Sequence, residues 1–275
     1  MALTAHQRKI LLALAANRSP DSYVAGASAL NVSAPRLSTD IDIFHDEAAR
    51  LEAAATHDAA TLERAGFAVS WARRMALLRT AVVALEDEET KLEWAYDSDF
   101  RFFPTLPDPL FGYRLHRFDL AANKVMAAAD RREVRDIIDL VEIDRTYLPL
   151  GPLITAAVDK SPGWTPEGVV SEIRRNAMRP ADDYRNVASE EPIDPMKVHS
   201  SLRSALDRAD EFVRALPTEF LGVVFLEKGV PTTPNLERLS DTFHHRGSRR
   251  GHWPDSDSVR HEMWVSYRGE RPRSS

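Results

Sequence analysis

Two aspartates one residue apart are the part of this sequence with the clearest chemical meaning. Asp40 and Asp42 alternate with Ile41 and Ile43 in the segment 40–44, and strict alternation predicts a β-strand with one polar face. Because residues i and i+2 of a strand point the same way, the two carboxylates project side by side. They repel each other unless a cation lies between them. No Lys or Arg is interleaved in this segment, so a divalent ion is the natural partner.

The residues before this strand have the composition of a phosphate-binding turn. An apolar run over 23–25 predicts a short buried strand that reaches Gly26, and a helical pattern resumes at Ala27. Glycine lets the backbone approach an anion closely, and free N–H groups at the start of a helix point towards it. Ser28 adds a hydroxyl donor. The alternative is an ordinary turn at Gly26, followed by an acidic pair on the solvated face of an edge strand.

Composition and charge narrow the possible ligands and partners. The 275 residues carry 36 Lys and Arg against 42 Asp and Glu, a net charge of −6, so bulk charge does not suit the chain to coating nucleic acid. The net charge does not exclude a local track of basic residues that binds nucleic acid. Cys is absent, which excludes disulfides, thiolate zinc sites and cysteine nucleophiles, and favours hard ions such as Mg²⁺ on oxygen ligands. No apolar stretch near the start approaches the ~20 residues of a membrane helix, so we expect a cytoplasmic protein.

The elements that must position these groups follow from periodicity and from turn residues. Their order is helix, strand, helix, strands, then helices. This order predicts an α+β fold, with a mixed sheet flanked by helices in the N-terminal half and a helical C-terminal half. The expected helices cover about residues 4–16, 27–30, 46–65, 120–129, 130–143, 150–160, 165–176 and 194–216, with capping boxes at 4–7 and 130–133, and the expected strands cover 23–25, 40–44, 67–73, 76–85 and 90–96, with 111–118 as a further strand or extended segment.

Two blocks of this sequence resemble the nucleotidyltransferase superfamily and, more narrowly, the AbiEii toxin family, which includes MenT toxins. The family's opening reads Gly-Gly-Thr-Ala-Leu, then Arg-x-Ser-x-Asp-h-Asp-h-Phe with h apolar, and residues 26–30 and 36–44 match it. Ala27 departs from the second glycine but keeps the requirement for a small residue. The second block matches at 119–127 and 131–140, whereas the helical C-terminal half carries no matched residues.

The resemblance implies Mg²⁺-dependent nucleotidyl transfer from a nucleoside triphosphate. In the family pattern, Asp40 and Asp42 hold Mg²⁺, Lys124 contacts the triphosphate and Asp136 is part of the active site. The alternatives are a solvated helix position for Lys124 and, for Asp136, helix capping or an ion pair with Arg131.

A third metal ligand usually comes from a neighbouring strand in this superfamily. Glu93 has the right alternation, because Leu92 and Trp94 would point inward and Glu93 towards the polar face. Asp97 and Glu86 are rival candidates. The alternative for Glu93 is an acidic residue on the surface of a hairpin.

Ser38 is a further candidate for the nucleotide site, together with Gly26, Ala27, Ser28 and Lys124. It precedes Asp40 by two residues, so we expect it on the same strand face, beside the metal. Phosphorylation there would add about −1.5 to −2 charges and block metal and nucleotide binding, which would make Ser38 an off-switch. The alternative is a hydroxyl that holds the loop after residue 31.

The order of the elements and the polar composition after residue 235 predict how the chain is organised. We expect a nucleotidyltransferase α/β domain over 1–118, a helical domain over 119–235 that completes the active-site cleft, and a polar, partly disordered tail over 236–275.

The family implies an RNA acceptor, the tRNA 3′ end, and a growth-inhibiting toxin with a cognate antitoxin as partner. Basic residues beside the two blocks could form a track for an RNA backbone, and ordinary surface ion pairing is the alternative. The rival functions are nucleotidyl transfer to a protein or a small molecule, and a non-catalytic nucleotide-binding regulatory module. The basic residues are Arg73, Arg74, Arg79, Arg114, His116, Arg117, Arg131, Arg132 and Arg135, with a further patch at 243–250.

Overall fold

The structure is a computed structural model that describes residues 3–30 and 36–249. The chain divides into two units, and each has its own sheet. The first unit contains Met1–Asp99, Thr105–Leu120 and Ala188–Glu191, and the second contains Phe100–Pro104, Ala121–Val187 and Pro192–Ser275.

A seven-stranded mixed sheet forms the centre of the first unit. Its strands are β1 (Ser22–Ala25), β2 (Asp40–His45), β3 (Ala68–Met75), β4 (Leu78–Leu85), β5 (Glu88–Tyr96), β6 (Leu106–Asp108) and β7 (Gly112–Arg114), and its helices are α1 (Ala5–Leu14), α2 (Gly26–Leu30) and α3 (Leu51–Arg64). The strand order is β3-β4-β5-β2-β1-β7-β6. Strand β2 runs parallel to β5 and antiparallel to β1, which brings the two motif-bearing strands into the middle of the sheet.

The second unit is mainly helical. Helix α4 (Arg117–Asp130) begins in the first unit, and it is followed by α5 (Val134–Thr146), α6 (Leu150–Ala157), α7 (Pro166–Asn176), α8 (Ala181–Arg185) and α9 (Pro195–Ala215). A three-stranded sheet, in the order β10-β8-β9, contains β8 (Val223–Glu227), β9 (Val230–Pro231) and β10 (Phe243–Arg246). None of the helices in the described part of the chain is both long and apolar enough to cross a membrane.

The alternation in β2 and β5 divides the sheet into an apolar face and a polar face. Ile41, Ile43, Leu92 and Trp94 are completely buried and belong to the core that α1 and α3 also supply. The residues between them therefore point to the opposite face. Burying four large side chains on one side gives these two strands a defined register, because a slip of one residue would place every apolar side chain on the wrong face.

Local sequence signals account for most of the element boundaries. Thr4 accepts a hydrogen bond from the Gln7 backbone N–H, and the Gln7 side chain accepts one from Thr4, so the predicted capping box is confirmed. The second predicted capping box is wrong. Asp130 is the last residue of α4, and Glu133 precedes α5 without a side-chain capping bond.

The strands that the sequence analysis missed are short or lie among helices. Strand β6 has three residues and contains a proline, so it shows no readable alternation. The segment 111–118, expected as a further strand or extended segment, contains the three-residue strand β7. Strand β8 is a short apolar run that pairs with the two-residue strand β9 directly after it and with β10 further along the chain. The expected polar tail over 236–275 contains a 3-10 segment (Leu236–Asp241) and β10, and its residues 250–275 lie outside the described residues.

A buried ion pair fixes the apolar side of the sheet. The side chains of Arg18 and Asp58 are each 1% exposed and join at 2.5 Å. Asp58 also accepts hydrogen bonds from the indole N–H of Trp94 at 2.7 Å and from the Asn17 amide at 2.9 Å. Because Trp94 follows Glu93 on β5, this network holds the strand that carries one of the candidate site residues.

Replacing Asp58 should destabilise the first unit strongly. The variant Asp58→Ala leaves the Arg18 charge buried without its carboxylate, which typically costs about 3–5 kcal/mol in the free energy of unfolding. Chemical denaturation measures this cost. Glu63→Ala, at an exposed position of the same helix, is the control and should change stability by less than about 0.5 kcal/mol. Equal stability of both variants would contradict the assignment.

A buried histidine makes the stability sensitive to acid. His45 is 2% exposed, and burial, followed by the charge of Arg18, lowers its pKa to about 4. The unfolded chain therefore binds this proton more readily, and stability falls as the pH drops from about 6.5 towards 4. We expect a loss on the order of 3 kcal/mol from this group.

Comparing unfolding curves at pH 7.5, 5.5 and 4.5 isolates the contribution of His45. The variant His45→Gln should reduce the acid-dependent loss. His57→Gln, at an exposed position of α3, should retain the wild-type pH dependence. If His45→Gln loses as much stability on acidification as the wild type, His45 is not responsible.

Candidate active site

The Asp42 side chain packs directly against the backbone of Gly26. Gly26 has φ +65°, and it follows Ala25, which pairs with Asp42 across β1 and β2. A Cβ atom at position 26 would lie 1.8 Å from Oδ2 of Asp42, so the carboxylate occupies the space that any other residue would need for its side chain. The turn therefore requires glycine at position 26 for two reasons. The positive φ favours glycine, and the Asp42 carboxylate leaves no room for a Cβ atom.

Three carboxylates converge on the polar face of the sheet. Asp42 pairs in register with Glu93 across the parallel strands β2 and β5, and Asp40 lies two residues before Asp42. Asp40, Asp42 and Glu93 each offer an oxygen atom, and these atoms all lie within 4.8 Å of one another. The rivals Asp97 and Glu86 are not members of this acidic group. The sheet register thus distinguishes Glu93 from the two rivals that the sequence left open.

Lys91 is the residue of this group that the sequence analysis missed. It pairs with Asp40 across the sheet, and its ammonium group lies 3.2 Å from Oδ2 of Asp40 and 3.2 Å from Oε1 of Glu93. Burial alone would lower the pKa of Lys91, but the charges of Asp40 and Glu93 outweigh it and raise the pKa. The sequence analysis found no Lys or Arg within the segment 40–44, but the neighbouring strand β5 supplies Lys91 to Asp40. The alternation of Lys91 with Glu93 on β5 was the available signal.

The donor set fits a hard divalent cation. Carboxylate oxygens are the ligands that Mg²⁺ and similar ions prefer, and three of them converge here. The ammonium group of Lys91 shows that this point of the surface attracts positive charge. With a side chain 42% exposed, Lys91 can leave the carboxylates for solvent without crossing the core.

The hydroxyl groups of the two serines in the motif donate hydrogen bonds to backbone carbonyls. The Ser28 hydroxyl is fully buried and donates to the carbonyl of Ala25 at 3.2 Å. The Ser38 hydroxyl is 4% exposed and donates to the carbonyl of Asp40 at 2.7 Å, while the Gln7 side chain donates to the carbonyl of Ser38. Ser38 thus tethers the start of β2. Its roles in nucleotide binding and as an off-switch stay predictions.

A second charged cluster lies in the second unit. The Lys124 ammonium group lies 2.9 Å from Asp136 and 3.0 Å from Asp139, and Arg131 donates to Asp136 at 2.7 Å. Both aspartates lie on one face of α5 and are at most 1% exposed as side chains. The proposed alternative for Asp136, an ion pair with Arg131, is therefore present, whereas Lys124 is a buried residue and not a solvated one.

The charges of this cluster depend on one another. Burial would lower the pKa of Lys124, but Asp139 and Asp136 outweigh it and raise the pKa. Burial would raise the pKa of Asp136, but the hydrogen bonds from Arg131 and the charge of Lys124 lower it. Lys124 and Asp136 therefore both stay ionised at neutral pH. That this cluster and the acidic group face one cleft stays a prediction.

Several residues of the expected basic track are engaged within the fold. Arg114 pairs with Asp108 and Arg79 with Glu52, while Arg246, in the expected patch at 243–250, donates to the carbonyls of Leu221 and Glu219. Burial lowers the pKa of His116 to about 4, so this residue is neutral at pH 7. Ordinary ion pairing thus accounts for Arg114 and Arg79, while Arg246 binds backbone carbonyls. Residue 250 lies outside the described residues.

Comparison with known proteins gives a match among solved structures. No protein-family model and no curated protein sequence matches the chain. Among solved structures, the chain is similar to MenT4, a nucleotidyltransferase toxin from Mycobacterium tuberculosis H37Rv, with a TM-score of 0.50 and 14% identity over 78% of this chain and 83% of that chain. This likeness shows that the chain shares the fold of MenT4. This confirms the predicted fold class, a mixed sheet with flanking helices and a helical C-terminal region.

Replacing Gly26 should disturb the acidic group without unfolding the unit. In Gly26→Ala the new methyl group collides with the Asp42 carboxylate, so we expect at least tenfold weaker binding of Mn²⁺, measured by calorimetry or electron paramagnetic resonance. Gly66→Ala is the matched control, because Gly66 also has positive φ (+91°) but open space around it. It should cost about 1–3 kcal/mol of stability through backbone strain and leave Mn²⁺ binding unchanged. Equal Mn²⁺ affinities of both variants would show that Asp42 does not bind the ion.

Proposed function

We propose that this chain is a Mg²⁺-dependent nucleotidyltransferase that moves a nucleoside monophosphate from a triphosphate onto RNA. We further propose the tRNA 3′ end as acceptor, and growth inhibition as the toxin of a toxin–antitoxin pair as the cellular role. The observation that carries the proposal is the convergence of Asp40, Asp42 and Glu93, with Asp42 seated against Gly26. The fold shared with a nucleotidyltransferase toxin supports it.

The first unit would position the reacting phosphates. Asp40, Asp42 and Glu93 would hold the divalent ion, which when bound supplies the positive charge that stabilises the phosphates and activates the acceptor hydroxyl. The turn at Gly26, Ala27 and Ser28 would hold the leaving end of the triphosphate. The acceptor oxygen forms a bond to the α-phosphorus, the bond from this phosphorus to the bridging oxygen breaks, and pyrophosphate leaves as the acceptor loses its proton. Because little covalent chemistry falls to side chains, positioning and charge supply most of the catalysis.

The second unit would supply a cation for the triphosphate. We assign this contact to Lys124, whose ammonium group is held by Asp136 and Asp139. Two fixed carboxylates keep the ammonium group protonated and limit its rotamers, so that Asp136 acts through Lys124 in this proposal. An RNA acceptor also places the activity in the cytoplasm, with the cognate antitoxin as the expected protein partner.

A labelling assay tests the proposal directly. The protein is incubated with each of the four α-³²P-labelled nucleoside triphosphates, Mg²⁺ and unfractionated tRNA, and the products are separated on a denaturing gel. We expect label on tRNA with the wild type, and a loss of at least 10²-fold for Asp42→Ala, because electrostatic groups at reacting phosphates contribute on this scale. Glu89→Ala, which removes an exposed acid from β5, should retain activity.

Each other outcome selects a different function. Label on a protein or on a small molecule would contradict the RNA acceptor and favour transfer to that class of substrate. Nucleotide binding without any transfer would favour a regulatory module. Equal activity of the wild type and Asp42→Ala would contradict the assignment of the site.

A further inference from the structure

The register of the sheet continues the candidate site as a straight row across five strands. Ala25 pairs with Asp42, Asp42 with Glu93, Glu93 with Thr80, and Thr80 with Arg73. Residues paired in this way share a face of the sheet. Arg73 therefore lies two strands from Glu93, at about 10 Å given the usual strand spacing, and on the polar face.

A β-bulge places Arg73 on this face. The register between β3 and β4 shifts between Trp71 and Arg73, so Ala72 is the extra residue. Trp71 packs on Trp94, with ring centroids 5.5 Å apart, and therefore points to the apolar side. Without the bulge, Arg73 would share the side of Trp71, because the two residues are two positions apart.

The neighbouring arginine confirms the change of side. Arg74 lies over the ring of Trp71, with its guanidinium carbon 4.4 Å from the ring centroid, so Arg74 shares the side of Trp71. Arg79, which pairs with Arg74 across the strands, forms an ion pair with Glu52 of α3. Two of the three arginines of this hairpin thus point away from the acidic group, and Arg73 alone of these three points along its face.

Arg73 is available to a ligand. It is exposed, and in the part of the chain that the structure describes no acidic side chain forms an ion pair with it. Its direct neighbour in the row, Thr80, is 5% exposed and donates to Glu93 at a long 3.4 Å. The row therefore runs from a group of negative charges to a solvated positive charge, with a small polar residue between them.

We propose that Arg73 is a substrate-positioning residue that contacts a backbone phosphate of the polynucleotide acceptor. This proposal rests on the proposed function. In the proposed function, the leaving pyrophosphate lies at the Gly26 end of the row. In-line displacement requires the attacking hydroxyl on the opposite side of the α-phosphorus. The opposite side is the direction of β5, β4 and β3, which ends at Arg73. A guanidinium group about 10 Å beyond Glu93 in this direction meets the backbone of the acceptor and not the triphosphate.

Binding measurements with a charge-matched control test this assignment. Fluorescein-labelled unfractionated tRNA is titrated with wild type, Arg73→Gln and Arg74→Gln, and fluorescence anisotropy is recorded at several salt concentrations. We expect Arg73→Gln to weaken binding about tenfold and to reduce the slope of log K against log salt by about 1, as for the loss of one phosphate contact. Arg74→Gln removes the same charge from the other side of the strand and should stay within about twofold of the wild type. Arg73→Lys should recover part of the affinity.

The transfer assay separates this inference from the proposed function. Arg73→Gln should raise the KM for tRNA and leave the KM for the triphosphate unchanged, with the melting temperature recorded to confirm folding. Equal tRNA affinities of the Arg73 and Arg74 variants, or a rise in the KM for the triphosphate, would overturn the role of Arg73 while transfer by the wild type persists. A wild type without transfer would overturn the proposed function, and the anisotropy titration would still decide whether Arg73 binds the backbone.

Discussion

The mutual repulsion of three carboxylates is the constraint on which the first unit depends. Asp40, Asp42 and Glu93 bring oxygen atoms within 4.8 Å, where like charges oppose one another. The described structure answers this repulsion with the Lys91 ammonium group, which contacts two of the three residues. Lys91 therefore balances part of the negative charge of this group. A divalent ion could replace its ammonium group, because such an ion neutralises more charge and the Lys91 side chain can move into solvent.

The two faces of β5 divide structural and chemical roles between adjacent residues. Trp94 is fully buried and donates to Asp58 within the Arg18 ion pair, whereas Glu93 points to the polar face. The buried network therefore holds a carboxylate that it never touches. Gly26, which follows β1, helps to position Asp42 in a different way, because its missing side chain leaves the space that the carboxylate fills.

The cluster around Lys124 combines structural and proposed chemical importance in one residue. Its ammonium group neutralises two aspartates that are almost completely buried. Removing Lys124 would take this ammonium group from both aspartates, although Arg131 would still pair with Asp136. Removing one partner of a buried ion pair destabilises a protein by about 3–5 kcal/mol. A loss of activity in a Lys124 variant would therefore carry weight only beside a measurement of stability, whereas Asp42, in a partly exposed position, separates the two effects better.

Local patterns in the sequence determined much of the first unit. The alternation over 40–44 predicts a strand with paired acids, the capping box at Thr4 predicts where α1 begins, and the alternation on β5 makes Glu93 a candidate beside Asp97 and Glu86. These signals succeed because the periodicity of a strand and the capping of a helix involve residues within a few positions of each other.

The tertiary structure alone decided which distant residues became neighbours. Lys91 meets Asp40 through the pairing of β2 with β5, and Arg73 reaches the polar face through a bulge that only its pairing with β4 defines. In the small sheet, β8 likewise pairs with β10, which lies beyond β9 and a 3-10 segment along the chain. Cross-strand register is set by the packing of whole faces, so no short window of the sequence contains it.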